Sequence, residues 1–220
     1  MKLGHGDDAA RARRSVGSGG GRASKMNKKK RIAAKSTSYR NFWAMNVDEA
    51  IVAGDLQREF RGRAEVFFPL NAQLEGVDLL LVNLKYKKTV SFQVKGSKAF
   101  IPKSRGDKRK FENNSVGWFK IPKKKIMKSR ADFFIFLCHV FAPDAIKGRN
   151  VFNTHMITVP SRRLRTICKA KSSGTFTHFY MVVAPEETVW DCRDKKRIYF
   201  TDFLDAKGLV PIWKKLKLRR

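Results

Sequence analysis

Cysteine is scarce in this 220-residue chain: Cys138, Cys168 and Cys192 are odd in number and widely spaced. That excludes a disulfide framework. No Cys-x-x-Cys pair exists, and His5, His139, His155 and His178 make no zinc spacing with the thiols. A reducing compartment follows. No apolar run approaches the length needed to span a membrane, and the N-terminal residues lack the apolar segment of a secretory signal. The expected location is therefore cytoplasmic or nucleoid-associated, not secreted. A Walker loop, a Gly-x-Ser-x-Gly elbow and a His-Glu-x-x-His helix are all missing, which removes the commonest nucleotide, acyl-transfer and zinc-protease chemistries.

Acidic residues are also few, 19 Asp and Glu against 48 Lys and Arg, for a net charge of +29. Residues 1–40 hold twelve basic residues against two Asp, a net of +10, and the remaining 36 basic and 17 acidic residues leave +19 on the rest. A domain so unbalanced repels itself unless it meets a polyanion, and nucleic acid is the leading partner. A membrane surface or a ribosome would satisfy the same charge.

Residues 1–40 are Gly, Ser, Lys and Arg with almost no large apolar side chains, so a disordered basic tail is expected there. Residues 41–220 are long enough for one domain with a basic C-terminal extension. Met45 to Phe60 reads as a helix. Met45, Val52, Ala53, Leu56 and Phe60 form one apolar stripe, and Glu49 falls inside it while Asp48, Asp55 and Glu59 lie to its side. A carboxylate on a buried face is costly unless it is paired.

Glu65 to Pro69 suggests a first strand. Two apolar runs, ending at Val82 and beginning at Val90, flank Lys85-Tyr86-Lys87-Lys88 and read as a hairpin. In the second run Val90, Phe92 and Val94 alternate with Ser91, Gln93 and Lys95 until Gly96 ends the strand. Asp78 heads the first run. An acid thus faces an amide and an amine two residues apart on the next strand. Taken singly, Asp78 also suits a turn cap, Glu49 a partner for a buried Lys, and Lys95 an exposed edge.

The order of helix with an inward acid, strand, Asp-bearing strand and Gln-x-Lys strand resembles the PD-(D/E)XK nuclease superfamily in its Gln-x-Lys variant. The likeness runs over about residues 46–141. It resembles junction resolvases, restriction enzymes and intron-encoded homing endonucleases. Pro69 stands further from Asp78 than the family's adjacent Pro-Asp. The resemblance implies an α/β fold with a central mixed β-sheet flanked by helices, and a restriction-endonuclease-like core. It implies a Mg²⁺-dependent DNA endonuclease, with Mn²⁺ as a substitute, in which Glu49, Asp78, Gln93 and Lys95 are catalytic. The metal would be held by Glu49, Asp78, Gln93 and the Val94 carbonyl. Lys95 would orient the attacking hydroxide. A homo-oligomer, dimer or tetramer, is expected because two strands need two sites. Gln93 in place of Glu removes a negative charge, so the alternative is a nucleic-acid-binding relative that kept the fold and lost catalysis.

Residues 101–130 carry eleven basic residues against Asp107 and Glu112, with Phe111, Trp118 and Phe119 interleaved. Lys98, Lys103, Arg105, Lys108, Arg109, Lys110, Lys120, Lys123, Lys124 and Lys125 are the candidate phosphate contacts. The aromatics suit either stacking or an ordinary loop whose rings tuck into the core. Pro122 suits the start of a short helix, and Asp132 to Phe141 a central strand buried on both faces. Further on, strands are expected over 151–159 and 175–183, with a helix capped by Ser161 between them. The chain should close with a hairpin over 189–200 and a C-terminal helix broken near Gly208 and Pro211.

Overall fold

A computed structural model of the chain describes residues 46–69, 76–143, 150–171, 174–184, 186–194 and 196–218. The expected basic tail over 1–40 lies outside them. The first helix, α1 (Val47–Glu59), starts at Asn46, whose side chain accepts a hydrogen bond from the Asp48 N–H. The strands β1 (Glu65–Phe67), β2 (Leu79–Asn83) and β3 (Lys88–Gly96) pair antiparallel in succession. Lys87 takes a positive φ of 51° to close the tight connection between β2 and β3. The strand β6 (Phe133–Pro143) lies parallel to β3, and β7 (Asn150–Pro160) pairs antiparallel to β6. One mixed sheet results, in the order β1-β2-β3-β6-β7.

The chain is α/β, but it contains two sheets where the sequence suggests one. The second sheet is antiparallel, in the order β10-β9-β8-β5-β4. It comprises β4 (Lys98–Phe100), β5 (Val116–Pro122), β8 (Phe176–Val183), β9 (Val189–Asp191) and β10 (Ile198–Tyr199). The helices α2 (Arg105–Lys110) and α3 (Lys123–Lys128) flank β5, and α4 (Ser161–Ala170) follows β7. A 3₁₀ turn over Thr201–Phe203 leads into α5 (Asp205–Lys215).

The alternation of β6 explains why two sheets are needed. Phe133, Ile135 and Leu137 join Val90, Phe92 and Val94 in a core shared with α1 and α5, closed by Phe60 stacked 4.6 Å from Trp213. Phe134, Phe136, Cys138 and Val140 face the other way, into a core shared with the second sheet and α4. There Phe136 meets Phe119 and Phe179 edge-on, with centroids 5.0 and 5.3 Å apart. A strand apolar on both faces requires cover on both.

Three local expectations are corrected. Residues 101–130 are not a loop, because β5 runs through them and buries Phe119. Ser161 does not cap α4; its Oγ donates to the Ala131 carbonyl at 2.6 Å, and Pro160 holds the cap position. The C-terminal helix runs unbroken through Gly208 and Pro211. Gly208 is an approach point, not a break, since a Cβ there would collide with the Phe203 carbonyl and press on Thr158.

Candidate active site

The site forms where β2 and β3 pair. The turn before β2 passes through Gly76, whose φ of +79° is left-handed and suits glycine. Ser129, at the end of α3, donates through Oγ to the Gly76 carbonyl at 3.1 Å and fixes that turn. Arg165 of α4 donates to the Ser129 carbonyl at 2.8 Å, so two helices steady the entry to β2. Asp78 follows, its N–H donating to the Phe92 carbonyl at 2.7 Å.

Leu79 and Leu81 point into the core beneath α1, so Asp78 points to the opposite face, the face of Gln93 and Lys95. Asp78 Oδ2 accepts the Val94 N–H at 2.8 Å and lies 3.5 Å from Lys95 Nζ. Lys95 Nζ also donates to the Val94 carbonyl at 2.6 Å. Asp78, Val94 and Lys95 therefore converge on one spot. The Asp78 side chain is 8 % exposed and that of Lys95 27 %, so solvent reaches the spot along the lysine.

Gln93 is buried on the same face, and its Oε1 is a buried oxygen without a hydrogen-bond partner. Such an orphan is costly and marks a place where a ligand would be welcome. Glu49, on the first turn of α1, is buried as the stripe argument requires, and its negative charge reaches Lys95. Burial lowers the Lys95 pKa below the usual lysine value, and the neighbouring Lys125 adds to this. The charges of Asp78 and Glu49, with the Asp78 hydrogen bond, act in the opposite sense.

Among the described residues no group of three or more His, Cys, Asp or Glu gathers to hold a metal. The available donors are of another kind: the Asp78 carboxylate and the Val94 carbonyl, which meet at Lys95, the Gln93 amide oxygen on the same face, and the Glu49 carboxylate, which is carried by α1 on the other face and is linked to the site through its charge on Lys95. All are hard oxygens, and Mg²⁺ is typically held by one or two carboxylates with water and substrate phosphate completing its shell. The unpartnered Gln93 oxygen fits that use.

The sequence reading passed over a polar chain beside this set. His139 Nε2 lies 2.9 Å from Asp48 Oδ1, and His139 Nδ1 lies 3.1 Å from Thr154 Oγ1. The Asp48 carboxylate packs so closely on Gly96 that any Cβ there would overlap it. α1 is thereby docked on the end of β3, with Glu49 next in line. The available signal was His139 itself, a polar residue in an otherwise apolar strand whose neighbour Cys138 is packed in the core between the sheets.

The basic candidates Lys98, Lys103, Arg105, Lys108, Arg109, Lys110, Lys120, Lys124 and Lys125 are exposed, and Lys123 is half-buried. They do not form one group. Lys125 on α3 borders the site closely enough to act on Lys95, whereas Lys98 and Lys120 lie on the second sheet. α4 adds exposed Arg162 and Arg163 beside α3, which the sequence reading did not single out. Of the interleaved aromatics, Phe111 and Phe119 are buried and Trp118 stays out.

No helix among the described residues is long and apolar enough to cross a membrane. No protein-family model, no curated protein and no solved structure matches the chain.

Proposed function

We propose that this protein is a Mg²⁺-dependent DNA endonuclease with a restriction-endonuclease-like core. The observation that carries the reading is the meeting of the Asp78 carboxylate, the Val94 carbonyl and the Lys95 ammonium beside the unpartnered Gln93 oxygen. The order of helix, strand, Asp-bearing strand and Gln-x-Lys strand supports the same core. The charge of +29 supplies the partner class.

Asp78, Glu49, Gln93 and the Val94 carbonyl would hold the cation. Bound there, a divalent ion would supply charge neutralisation of the scissile phosphate and a lowered pKa for an attacking water. Lys95 orients that water and stabilises the charge that develops on the phosphoryl oxygens. Its ammonium rests on Asp78 and the Val94 carbonyl. Asp48 and His139 act at one remove, by holding the helix that carries Glu49. Lys125 and its neighbours on α3 and α4 grip the DNA backbone. A homo-oligomer would place two such sites on the two strands of a duplex.

A second reading has an observation in its favour. With Gln93 at the ligand position, the described residues assemble no cluster of three metal-binding acids, and a nucleic-acid-binding protein with a silent site is the alternative. Cleavage of supercoiled and linear DNA in Mg²⁺, with binding measured in Ca²⁺, separates the two. Asp78→Ala and Lys95→Ala should each lower cleavage by ~10²-fold or more while binding stays within a few fold. A parent protein that binds but cuts no substrate in Mg²⁺ or Mn²⁺ would establish the binding reading.

A further inference from the structure

The outer face of the second sheet mixes basic and aromatic side chains. Side chains alternate along β5, so Phe119 and Ile121 point into the core between the sheets while Trp118 and Lys120 point away from it. On β8, Phe179 and Met181 point inward, and Phe176, His178 and Tyr180 point outward. Pairing then sets Lys98, Trp118 and Tyr180 abreast across β4, β5 and β8, with Lys120 opposite His178 in the next row. Basic and aromatic groups thus share one face of a sheet.

They also touch. Lys98 Nζ lies 5.8 Å from the Trp118 ring centroid and Lys120 Nζ 4.6 Å from that of Phe176. Lys110 Nζ and the Arg193 guanidinium lie 5.5 and 5.3 Å from the Tyr180 ring. Burial, with the positive field of Arg193, Lys120 and Lys171, holds the His178 pKa below its usual value. At the β4 end the face opens into a cleft of about 300 Å³ lined by Phe100, Asp107, Phe111, Val116, Trp118 and Tyr180. Phe100 is 42 % exposed and Trp118 36 %. A cleft of that size is at the lower end of small-ligand pockets and suits a single flat ring system.

We propose that this face binds an unpaired stretch of DNA, with one base seated in the cleft among Phe100, Trp118 and Tyr180. The charge excludes an apolar protein partner: the rings are flanked by Lys98, Lys110, Lys120 and Arg193, which suit phosphates strung between stacked bases. A duplex fits less well, because its bases offer no open face to a ring. Asp107, whose Oδ2 is hydrogen-bonded to Ser104 Oγ at 2.8 Å, bars phosphate from the cleft while tolerating the N–H edge of a base.

The face is also close to the candidate site along the chain. β3 ends at Gly96, directly after Lys95, and β4 begins at Lys98; the intervening Ser97 N–H donates to the Leu137 carbonyl at 3.0 Å. The strand carrying the reactive lysine therefore leads into the platform. Joined to the nuclease reading, on which this one consequence rests, the proposal names the substrate class: DNA with a single-stranded segment beside the cut. The binding itself stands apart from that reading.

The test is fluorescence anisotropy of the full chain with a labelled, non-self-complementary single strand of about 20 nucleotides, longer than a typical single-strand site, and with its duplex. Trp118→Ala should weaken single-strand binding by about 5- to 150-fold, the equivalent of losing one stacked base, and duplex binding by far less. Trp118→Phe should restore most of the loss. Tyr86→Ala removes a more exposed ring that carries a lysine, Lys85, at 5.6 Å but lies on the β2–β3 connection; it should change neither affinity. Unchanged single-strand affinity in Trp118→Ala overturns the proposal, as does an equal loss on both DNAs that Trp118→Phe fails to relieve. Poly-glutamate binding that Trp118→Ala weakens, with single-strand binding unchanged by it, would assign the face to an acidic protein instead. A parent that cuts DNA while Trp118→Ala binds single strands normally refutes the platform alone. A parent that never cuts but shows the Trp118 dependence refutes the nuclease alone.

Discussion

Lys95 Nζ lies 3.5 Å from Asp78 Oδ2, on the face of the first sheet that points away from α1. The two residues are 17 apart in sequence and are joined by one tight connection between adjacent antiparallel strands. An acid at the head of one strand and a lysine near the end of its partner can meet only if the register sets both on one face. Here Leu79 faces Phe92, and the register does so.

Gly96 should tolerate no side chain. A Cβ there overlaps the Asp48 carboxylate, and relief requires α1 to move off the end of β3, taking Glu49 with it. Gly96→Ala should cost about 1–3 kcal/mol of stability, as overpacking does, and should lower cleavage further than that loss alone explains. Gly54→Ala is the matched control: it lies within α1 with open space at the Cβ position, and should be neutral or stabilising by about 0.5–1 kcal/mol. Chemical denaturation and single-turnover cleavage of both variants check this.

Asp132 ties the start of β6 to β3 and α5. Its Oδ2 accepts from the Ser91 N–H and Oγ at 3.0 Å each, and its Oδ1 accepts from Lys215. Burial raises its pKa, but the bonds from Lys215 and Ser91 outweigh that and hold the carboxyl below its ordinary value. A depressed carboxyl contributes stability that is present above the unfolded pKa of about 4 and disappears as pH falls through the folded value. Asp132→Asn should therefore be less stable than the parent at pH 7, by on the order of 1 kcal/mol. The gap should narrow as pH drops below about 4. Urea midpoints across pH read it directly.

Much of this was legible in the sequence. Glu49 betrayed itself as an acid in an apolar stripe, and the Val90–Lys95 alternation set Gln93 and Lys95 on one face. The doubly apolar β6 was also legible, yet its consequence, a second sheet to cover Phe134 and Phe136, was not drawn. That sheet joins β4 and β5 to β8, β9 and β10 across the whole span of α3, β6, β7 and α4, and β5 lies in so basic a stretch that charge masked its alternation. Pro211 and Gly208 read as breaks because local propensity disfavours them, and packing of α5 against β7 and the first core overrides it. The Asp48–His139 contact spans 91 residues, beyond any local pattern.

The thiols should be inert in the native state. All three cysteines are free and buried, and burial pushes Cys138 up to about 12 and Cys192 up to about 11. Thiolate is the reactive form, so iodoacetamide at pH 8 should label neither residue until the chain unfolds. Mass spectrometry of native and denatured samples gives the count. Labelling of native Cys138 would mean that the core between the sheets opens.

DNA binding should weaken steeply with salt. Phosphate-dominated binders lose orders of magnitude in affinity between about 50 and 200 mM salt. Removing residues 1–40, which carry a net +10, should lower nonspecific affinity and reduce the slope without changing where the DNA is cut. Affinity that is flat across the titration would remove the charge argument.

The Mg²⁺ dependence of cleavage by the parent and by Gln93→Glu tests the central claim most directly. If Gln93 Oε1 is a ligand, restoring a carboxylate should preserve cutting and shift half-maximal activity to lower Mg²⁺, because a charged oxygen replaces a neutral one on a divalent cation. Cleavage by both proteins, with the Gln93→Glu curve displaced to lower Mg²⁺, is the predicted result. Two superimposable curves, or no cleavage by either protein in Mg²⁺ or Mn²⁺, would contradict it.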